Sequence, residues 1–413
     1  VGALEPFDHG ITAPQGFRAS GVHCGIKRAR KDLALLYTPH LASAAAVFTS
    51  NAVKAAPILL AQQRLQDGVL KGVVINSGNA NALTGPRGLL DAELMASRAA
   101  RTLGEHPATF IPASTGVIGR PLPMRNLIFG ISVAAAKLAQ TREAATHAAR
   151  AILTTDTVPK EVAGRVKLRD GTTVTFGGMA KGSGMIAPQL RGLHATTLGF
   201  VTTDAAVPRE TLQAMLERAA DATFNMVSVD GDQSTNDLVV VLANGQAGNA
   251  PEAADGRFEA ALTEALAVLA RKIAQDGEGA TKLLEVEVQG AEDLDQARRA
   301  ARAVVSSNLV KAALFGRDPN FGRIAAALGY SGCRLAPDRI TLRLVASGGS
   351  VLLVRHGEPR AYSGTAAYRR AHELLRAKEI RIVADLGVGA SSATAWGCDL
   401  SYEYVRINAE YTT

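Results

Sequence analysis

Residues Gly177 to Val201 read GGMAKGSGMIAPQLRGLHATTLGFV. The part from Gly177 to His194 is rich in glycine, holds Pro188 and follows neither a helical nor a strand period. It therefore reads as a surface loop. Leu198–Val201 is a short apolar run, the mark of a buried strand. Between them lies Ala195-Thr196-Thr197. A loop that feeds a rigid strand is the place where a chain cut would leave its new N-terminus held by a sheet.

Working outward, Arg165–Leu168 and Thr173–Phe176 alternate around Asp170-Gly171, a strong hairpin signal. Gly72–Ile75 reads as a buried strand that enters a loop of small and amide residues, Asn76–Ala82. A helix is expected from about Arg87 to Leu103, just after Pro86. Pro208 opens another, with Leu212, Met215 and Leu216 on one stripe, and Phe258–Ile273 carries Leu262, Leu266 and Leu269 on one side. Leu284–Val288, Ile340–Val345 and Ile380–Val383 read as strands. Paired strands with separate helices imply an α+β fold, helices packed on sheet faces. No repeat and no long Pro/Ser-rich linker breaks the chain.

The bulk properties narrow the function classes. The chain has 413 residues, 47% hydrophobic and 20% charged, an ordinary globular balance that can bury a large core. The net charge is +7, but Lys and Arg are scattered, and the densest run, Lys27 to Lys31, is short. That pattern reads as a solvated basic surface with a mild pull on small anions, not as a nucleic-acid interface. Cys24, Cys333 and Cys398 are far apart, so neither a zinc site nor a disulfide framework is indicated, and isolated thiols suit a reducing cytoplasm. No signal peptide and no membrane-spanning apolar run are visible. HExxH, GxxxxGK[ST] and GxSxG are all missing from the sequence.

A threonine hydroxyl is a poor nucleophile without a base beside it. At a chain terminus the residue's own α-amine serves, with a reference pKa of about 7.7–8.0. Cutting before Thr196, by an N-to-O acyl shift and hydrolysis of the ester, would therefore activate it. The company of Thr196 points the same way. In order along the chain come Asn76-Ser-Gly-Asn-Ala-Asn-Ala82, Ser114-Thr-Gly-Val-Ile-Gly119, Thr154-Thr-Asp-Thr157 and Gly178-Met-Ala-Lys-Gly-Ser-Gly-Met185. Thr202-Thr-Asp204, Val229-Asp-Gly-Asp232, Ser234-Thr-Asn-Asp237 and Asp276-Gly-Glu-Gly-Ala-Thr-Lys282 follow, then Asp318-Pro-Asn320 and Asn408-Ala-Glu-Tyr-Thr-Thr413. Together they resemble the ornithine acetyltransferases, or glutamate N-acetyltransferases, of arginine biosynthesis, from about Gly16 to the last residue.

The resemblance implies a layered sandwich with stacked sheets flanked by helices, cut into two intertwined chains, 1–195 and 196–413. It implies a ping-pong transfer in which Thr196 takes acetyl from N-acetylornithine and gives it to glutamate. Thr115 and the Gly116 N–H match the family's oxyanion-hole pair. Thr154, Lys181, Glu278, Asn408 and Thr413 match its substrate-binding positions. Lys181 suits an α-carboxylate, and Glu278 suits a substrate ammonium or proton handling near the threonine amine. No metal or tightly bound cofactor is implied, and the assembly implied is a dimer of cleaved pairs. Some members also accept acetyl-CoA, and no residue here chooses between the two habits. The stretch Gln189-Leu-Arg-Gly-Leu-His-Ala-Thr196 is longer than the family's usual Asn-Met-Ala-Thr, which leaves Thr197 as a reserve nucleophile and His194 as a candidate helper. Phe321 stands where Trp is common. Two other readings remain: a self-cutting aminopeptidase or amidase that gives its acyl group to water, and an uncut amino-acid-binding scaffold.

Overall fold

The computed structural model describes residues 2–187 and 197–410. They fall into two compact units. The first runs up to Asn225 and takes in Asp232–Leu269; the second is Met226–Gly231 with the described chain from Ala270 onward.

The first unit is built on a mixed sheet of nine described strands. Its order is Glu5–Pro6, Lys160–Lys167, Thr173–Lys181, Leu198–Thr203, Leu238–Ala243, Leu33–Phe48, Val69–Asn79 and Phe110–Val117, with Arg18–Val22 also on Leu33–Phe48. The Asp170-Gly171 hairpin forms as expected, Gly171 taking a positive φ of 89°. Leu198–Thr203 pairs antiparallel with Thr173–Lys181 and parallel with Leu238–Ala243, which in turn pairs with Leu33–Phe48. Strands from both sides of Ala195–Thr196 thus share one sheet, and the division into compact units does not follow that bond.

Side chains alternate across the sheet. Ile75, Ile111, Ala113, Met179, Leu198, Phe200, Leu238 and Val240 share one buried core. Val74, Leu33, Leu35 and Phe110 face the other way, against helices Gly85–Thr102 and Met124–Ala136. Pro86 lies in the first turn of Gly85–Thr102, and Pro208 caps Arg209–Ala222. Phe258, on helix Gly256–Gln275, meets Phe176 with ring centroids 5.0 Å apart.

The second unit holds a seven-stranded sheet in the order Glu358–Pro359, Gly349–Arg355, Thr341–Ala346, Glu379–Asp385, Leu283–Ala291, Ser391–Cys398 and Val227–Ser228. Helix Leu294–Ser306 lays a small-residue stripe, Ala297, Ala300, Ala301, Val304 and Val305, into its core. The α+β expectation holds in both units.

Two expectations are corrected. Asn76–Asn79 is not loop: the strand that begins at Val69 continues through Asn79, paired with Phe110–Val117. Gly177–Lys181 is not surface loop either: it is the last part of strand Thr173–Lys181, buried in mid-sheet. A Cβ on Gly177 would overlap the Gly10 carbonyl, so glycine is there for close backbone approach rather than for a turn. Beyond Lys181, residues Gly182, Ser183, Ile186 and Ala187 are also buried.

Candidate active site

The motif Ser114-Thr-Gly-Val-Ile-Gly119 ends strand Phe110–Val117, and the amide-rich stretch beside it holds it in place. Ser114 donates its hydroxyl to Asn76 Oδ1 at 2.6 Å, and Asn76 Nδ2 donates to the Asn79 carbonyl at 2.8 Å. Asn236 Nδ2 donates to the carbonyls of Ser114 (2.9 Å) and Ala80 (2.6 Å). These groups are buried, so each bond removes a desolvation penalty of about 1–3 kcal/mol. The asparagines read as a loop are in fact a polar scaffold for the turn.

Gly116 has φ 132°, closed to ordinary side chains, and a Cβ there would overlap the Gly78 and Asn79 backbone. Gly116→Ala is therefore expected to cost roughly 1–3 kcal/mol of stability. Alanine keeps the backbone N–H, so turnover in the acyl transfer proposed below should fall only as far as the strained turn displaces that donor, by at most the roughly 10²–10³ of losing it outright. Thermal melting and steady-state rates read the two effects separately.

Alternation fixes which side chains meet. Thr115 follows Ala113 by two residues, Lys181 follows Met179 by two, and Lys181 lies directly across from Leu198. All three point to the same face. There Lys181 Nζ donates to Thr115 Oγ1 at 3.2 Å, both residues being buried. A hydroxyl that accepts from an ammonium keeps its own proton to donate elsewhere.

Asp156 braces this pair from behind. Its carboxylate accepts from Lys160 Nζ (2.7 Å), Gly182 N (2.7 Å) and Thr154 N (2.9 Å). Burial alone would raise its pKa, but Lys160 and Lys181 outweigh burial and hold it well below the usual carboxylate range. Thr154, half-buried, is placed by that carboxylate and by Arg30 Nη2, which donates to its carbonyl at 3.0 Å. Asp237 behaves oppositely. Burial pushes its carboxyl well above the usual range, although Lys181 pulls the other way, and its Oδ2 has no hydrogen-bond partner among the described residues. Asp156 and Asp237 stand inside the motifs quoted above, which give no sign of these roles, and Lys160 stands outside them. Nothing local in the sequence marks a lysine and an aspartate four apart in a non-helical segment as a buried pair.

Of the remaining expected residues, Glu278 and Asn408 lie in the second unit and meet each other: Asn408 Nδ2 donates to Glu278 Oε2 at 2.8 Å. Glu278 is buried, not the exposed loop acid its Asp-Gly-Glu-Gly setting suggests. Asn408 sits on helix Tyr402–Glu410, whose start is anchored where Ser401 Oγ donates to the Gly279 carbonyl at 2.6 Å. Ala195, Thr196, His194 and Thr413 fall outside the described residues. Thr197 is described: its carbonyl accepts from Leu238 N at 2.8 Å, and its buried hydroxyl has no partner among the described residues. Alternation from Leu198 turns Thr197 away from the face of Thr115 and Lys181. Among the described residues no group of three or more His, Cys, Asp or Glu could hold a metal ion, and no helix is long and apolar enough to cross a membrane.

The class this defines is an α+β protein with a glycine-shaped donor turn beside a buried lysine. The chain belongs to the ArgJ family, whose model matches residues 18–413. It is 53% identical over 411 residues to the arginine biosynthesis bifunctional protein ArgJ of Symbiobacterium thermophilum, covering 98% of each chain. It is 47% identical over 371 residues to the glutamate N-acetyltransferase of Methanothermobacter thermautotrophicus, covering 90% of each. Among solved structures it matches ornithine acetyltransferase from Mycobacterium tuberculosis, complexed with ornithine, at 43% identity and TM-score 0.42, over 46% of this chain and 100% of that one.

Proposed function

We propose that this chain moves an acetyl group from N2-acetylornithine to glutamate through an acetyl-threonine ester, after cutting itself at Ala195–Thr196. The observation that carries the reading is the Thr115–Lys181 contact beside Gly116, on the face shared by Leu198, two residues after the proposed nucleophile. Relatives named for glutamate N-acetyltransferase activity and for arginine biosynthesis support it.

In this scheme the Thr196 amine takes the proton of its own hydroxyl, and the oxygen adds to the acetyl carbonyl. The Thr115 hydroxyl and the Gly116 N–H receive the developing oxyanion. The C–N bond breaks and ornithine leaves with the proton. Glutamate then attacks the ester by the same route in reverse. Lys181 pairs with the α-carboxylate common to both amino acids, and Thr154 adds polar contacts. Glu278, Asn408 and Thr413 complete the substrate set. The scheme uses no metal and no tightly held cofactor. It makes each fragment the other's partner, with pairs of fragments joined as a dimer in the cytoplasm.

Intact mass under denaturing conditions tests the cut, and transfer from N-acetylornithine to glutamate tests the chemistry. Two fragments, the second beginning at Thr196, together with N-acetylglutamate as product are expected. One uncut mass would overturn the self-activation, and acetate as the main product would turn the protein into a hydrolase. Glu278→Gln keeps the shape that Asn408 contacts while removing the charge. It is expected to lower kcat roughly 10²-fold and to change stability by about 1 kcal/mol or less. Equal losses in rate and melting temperature would make Glu278 structural.

A further inference from the structure

Cutting the chain poses a proton problem that the finished enzyme does not have. In the scheme above the Thr196 amine is the base. In the uncut chain that nitrogen is an amide whose lone pair is shared with the Ala195 carbonyl, so it cannot take the hydroxyl proton. Another group must carry it.

Most ionisable groups around the donor turn are already committed. Lys181 Nζ donates to Thr115 Oγ1. The Lys27 ammonium donates to the carbonyls of Lys31 and Leu153. Asp156 accepts from Lys160, Gly182 and Thr154 and is held well below the usual carboxylate range, which makes it a weak base. Asp237 differs on each count. It is 2% exposed, and its Oδ2 has no hydrogen-bond partner among the described residues. A buried polar oxygen left unserved is rare in proteins and calls for a reason. Burial pushes its pKa well above the usual range, which makes its carboxylate the stronger base. Lys181 is the charged group that acts on it most, while Thr49, Ser234 and Thr197 on adjoining segments are neutral.

Asp237 is also placed for the task. The peptide group that joins it to Leu238 is held on both edges. Its carbonyl accepts from Thr49 N at 3.0 Å, and the Leu238 N–H donates to the Thr197 carbonyl at 2.8 Å. Leu238 and Leu198 then open a parallel strand pair. Asp237 therefore stands at the entry of that pair, next to the residue that follows Thr196 in the chain. Connectivity alone keeps the Ala195–Thr196 bond within about 7 Å of the Thr197 anchor.

We propose that Asp237 is the proton carrier of the self-cutting step. The inference rests on the acetyl-transfer reading, whose nucleophile must first be freed. Oδ2 takes the Thr196 hydroxyl proton as that oxygen bonds to the Ala195 carbonyl carbon. It returns the proton to the nitrogen as the C–N bond breaks, leaving an ester, a free amine and the carboxylate as it began. Water then adds to the ester carbonyl, the ester C–O bond breaks, and one water proton goes to the threonine oxygen. Ala195 ends as a carboxyl group and Thr196 as a chain terminus.

The test follows cutting over time, by mass, in full-length chains freshly made in a reconstituted translation system. Asp237→Asn keeps the shape and removes the base, and it is expected to cut roughly 100-fold more slowly than wild type, or slower still. Its uncut chain should melt no more than about 3 °C below uncut Thr196→Ala, so that slow cutting is not loss of the fold. The wild-type rate should rise from about pH 5 to 8, as the carboxyl gives up its proton above the ordinary carboxylate range, and the residual cutting of Asp237→Asn should lose that rise. Cutting by Asp237→Asn at the wild-type rate, or with the wild-type pH profile, overturns the assignment; with Thr196→Ala still uncut, the proposed function stands. Loss of cutting in His194→Ala but not in Asp237→Asn gives the proton to the histidine and overturns it too. If Asp237→Asn does not fold, a wild-type rate that is flat over this pH range overturns it. Wild-type chains that stay whole overturn the assignment and the proposed self-activation together.

Discussion

Thr196→Ala is expected to leave one uncut chain of 43.0 kDa with no transfer above background. In the proposed scheme the Thr196 hydroxyl takes the acyl group from the Ala195 carbonyl, so in the alanine variant the N-to-O shift has no acceptor. The same hydroxyl forms the acetyl ester of that scheme, so transfer is lost with it. Folding should be spared. The strand that follows begins at Leu198, is paired on both sides, and contributes Leu198 and Phe200 to the core whether or not the chain is cut. Thr196→Ser should still cut. Thr197→Val is the informative companion: that hydroxyl is buried without a partner among the described residues, just before strand Leu198–Thr203. Thr197→Val should therefore cut and turn over. Mass spectra of the three variants decide the matter. A normally processed alanine variant would move the nucleophile elsewhere, with Thr197 first in line.

The elements that could be read from sequence are those whose signal is local. Asp170-Gly171 announces its hairpin because a tight turn needs a residue that tolerates positive φ. Phe258–Ile273 announces its helix because its apolar residues recur at helical spacing. The misread elements are those where tertiary pairing overrides composition. Asn76-Ser-Gly-Asn79 has poor strand propensity, yet Phe110–Val117 pairs with it and buries it. Gly177–Lys181 looked like loop because glycine is weak in strands, yet glycine is what lets the Gly10 backbone approach. The donor turn and Lys181 were legible as family motifs, not as geometry. Their contact depends on the register of two strands that are distant in sequence. Lys27–Lys31 shows in the sequence as a charged run, but the seat of Lys27 against Gly78 does not, because buried Asp32 sets it by accepting the N–H groups of Ile26 and Lys27.

The Asp156–Lys160 pair should give the largest stability effect. Both side chains are fully buried, 2.7 Å apart. Asp156→Asn leaves the Lys160 ammonium in the interior without its carboxylate, and breaking a buried pair in this way costs about 3–5 kcal/mol. Lys160→Met strands the carboxylate instead, but Lys181 and the N–H groups of Thr154 and Gly182 still serve it, so the loss should be smaller. The double variant should recover part of the loss, since replacing both charges removes the uncompensated ion. The pH dependence has a definite sign. Asp156 is held below its unfolded value of about 3.9, so its contribution is complete above that pH and is lost as the pH falls toward the folded value. Melts of wild type and Asp156→Asn should therefore converge on acidification below about pH 4 and stay apart at neutral pH. Function should suffer as well, because the same carboxylate holds Gly182 beside Lys181 and fixes Thr154. Even at temperatures where Asp156→Asn is fully folded, its KM for the amino-acid substrates should rise. An unchanged KM in the folded variant would make the pair a purely structural brace.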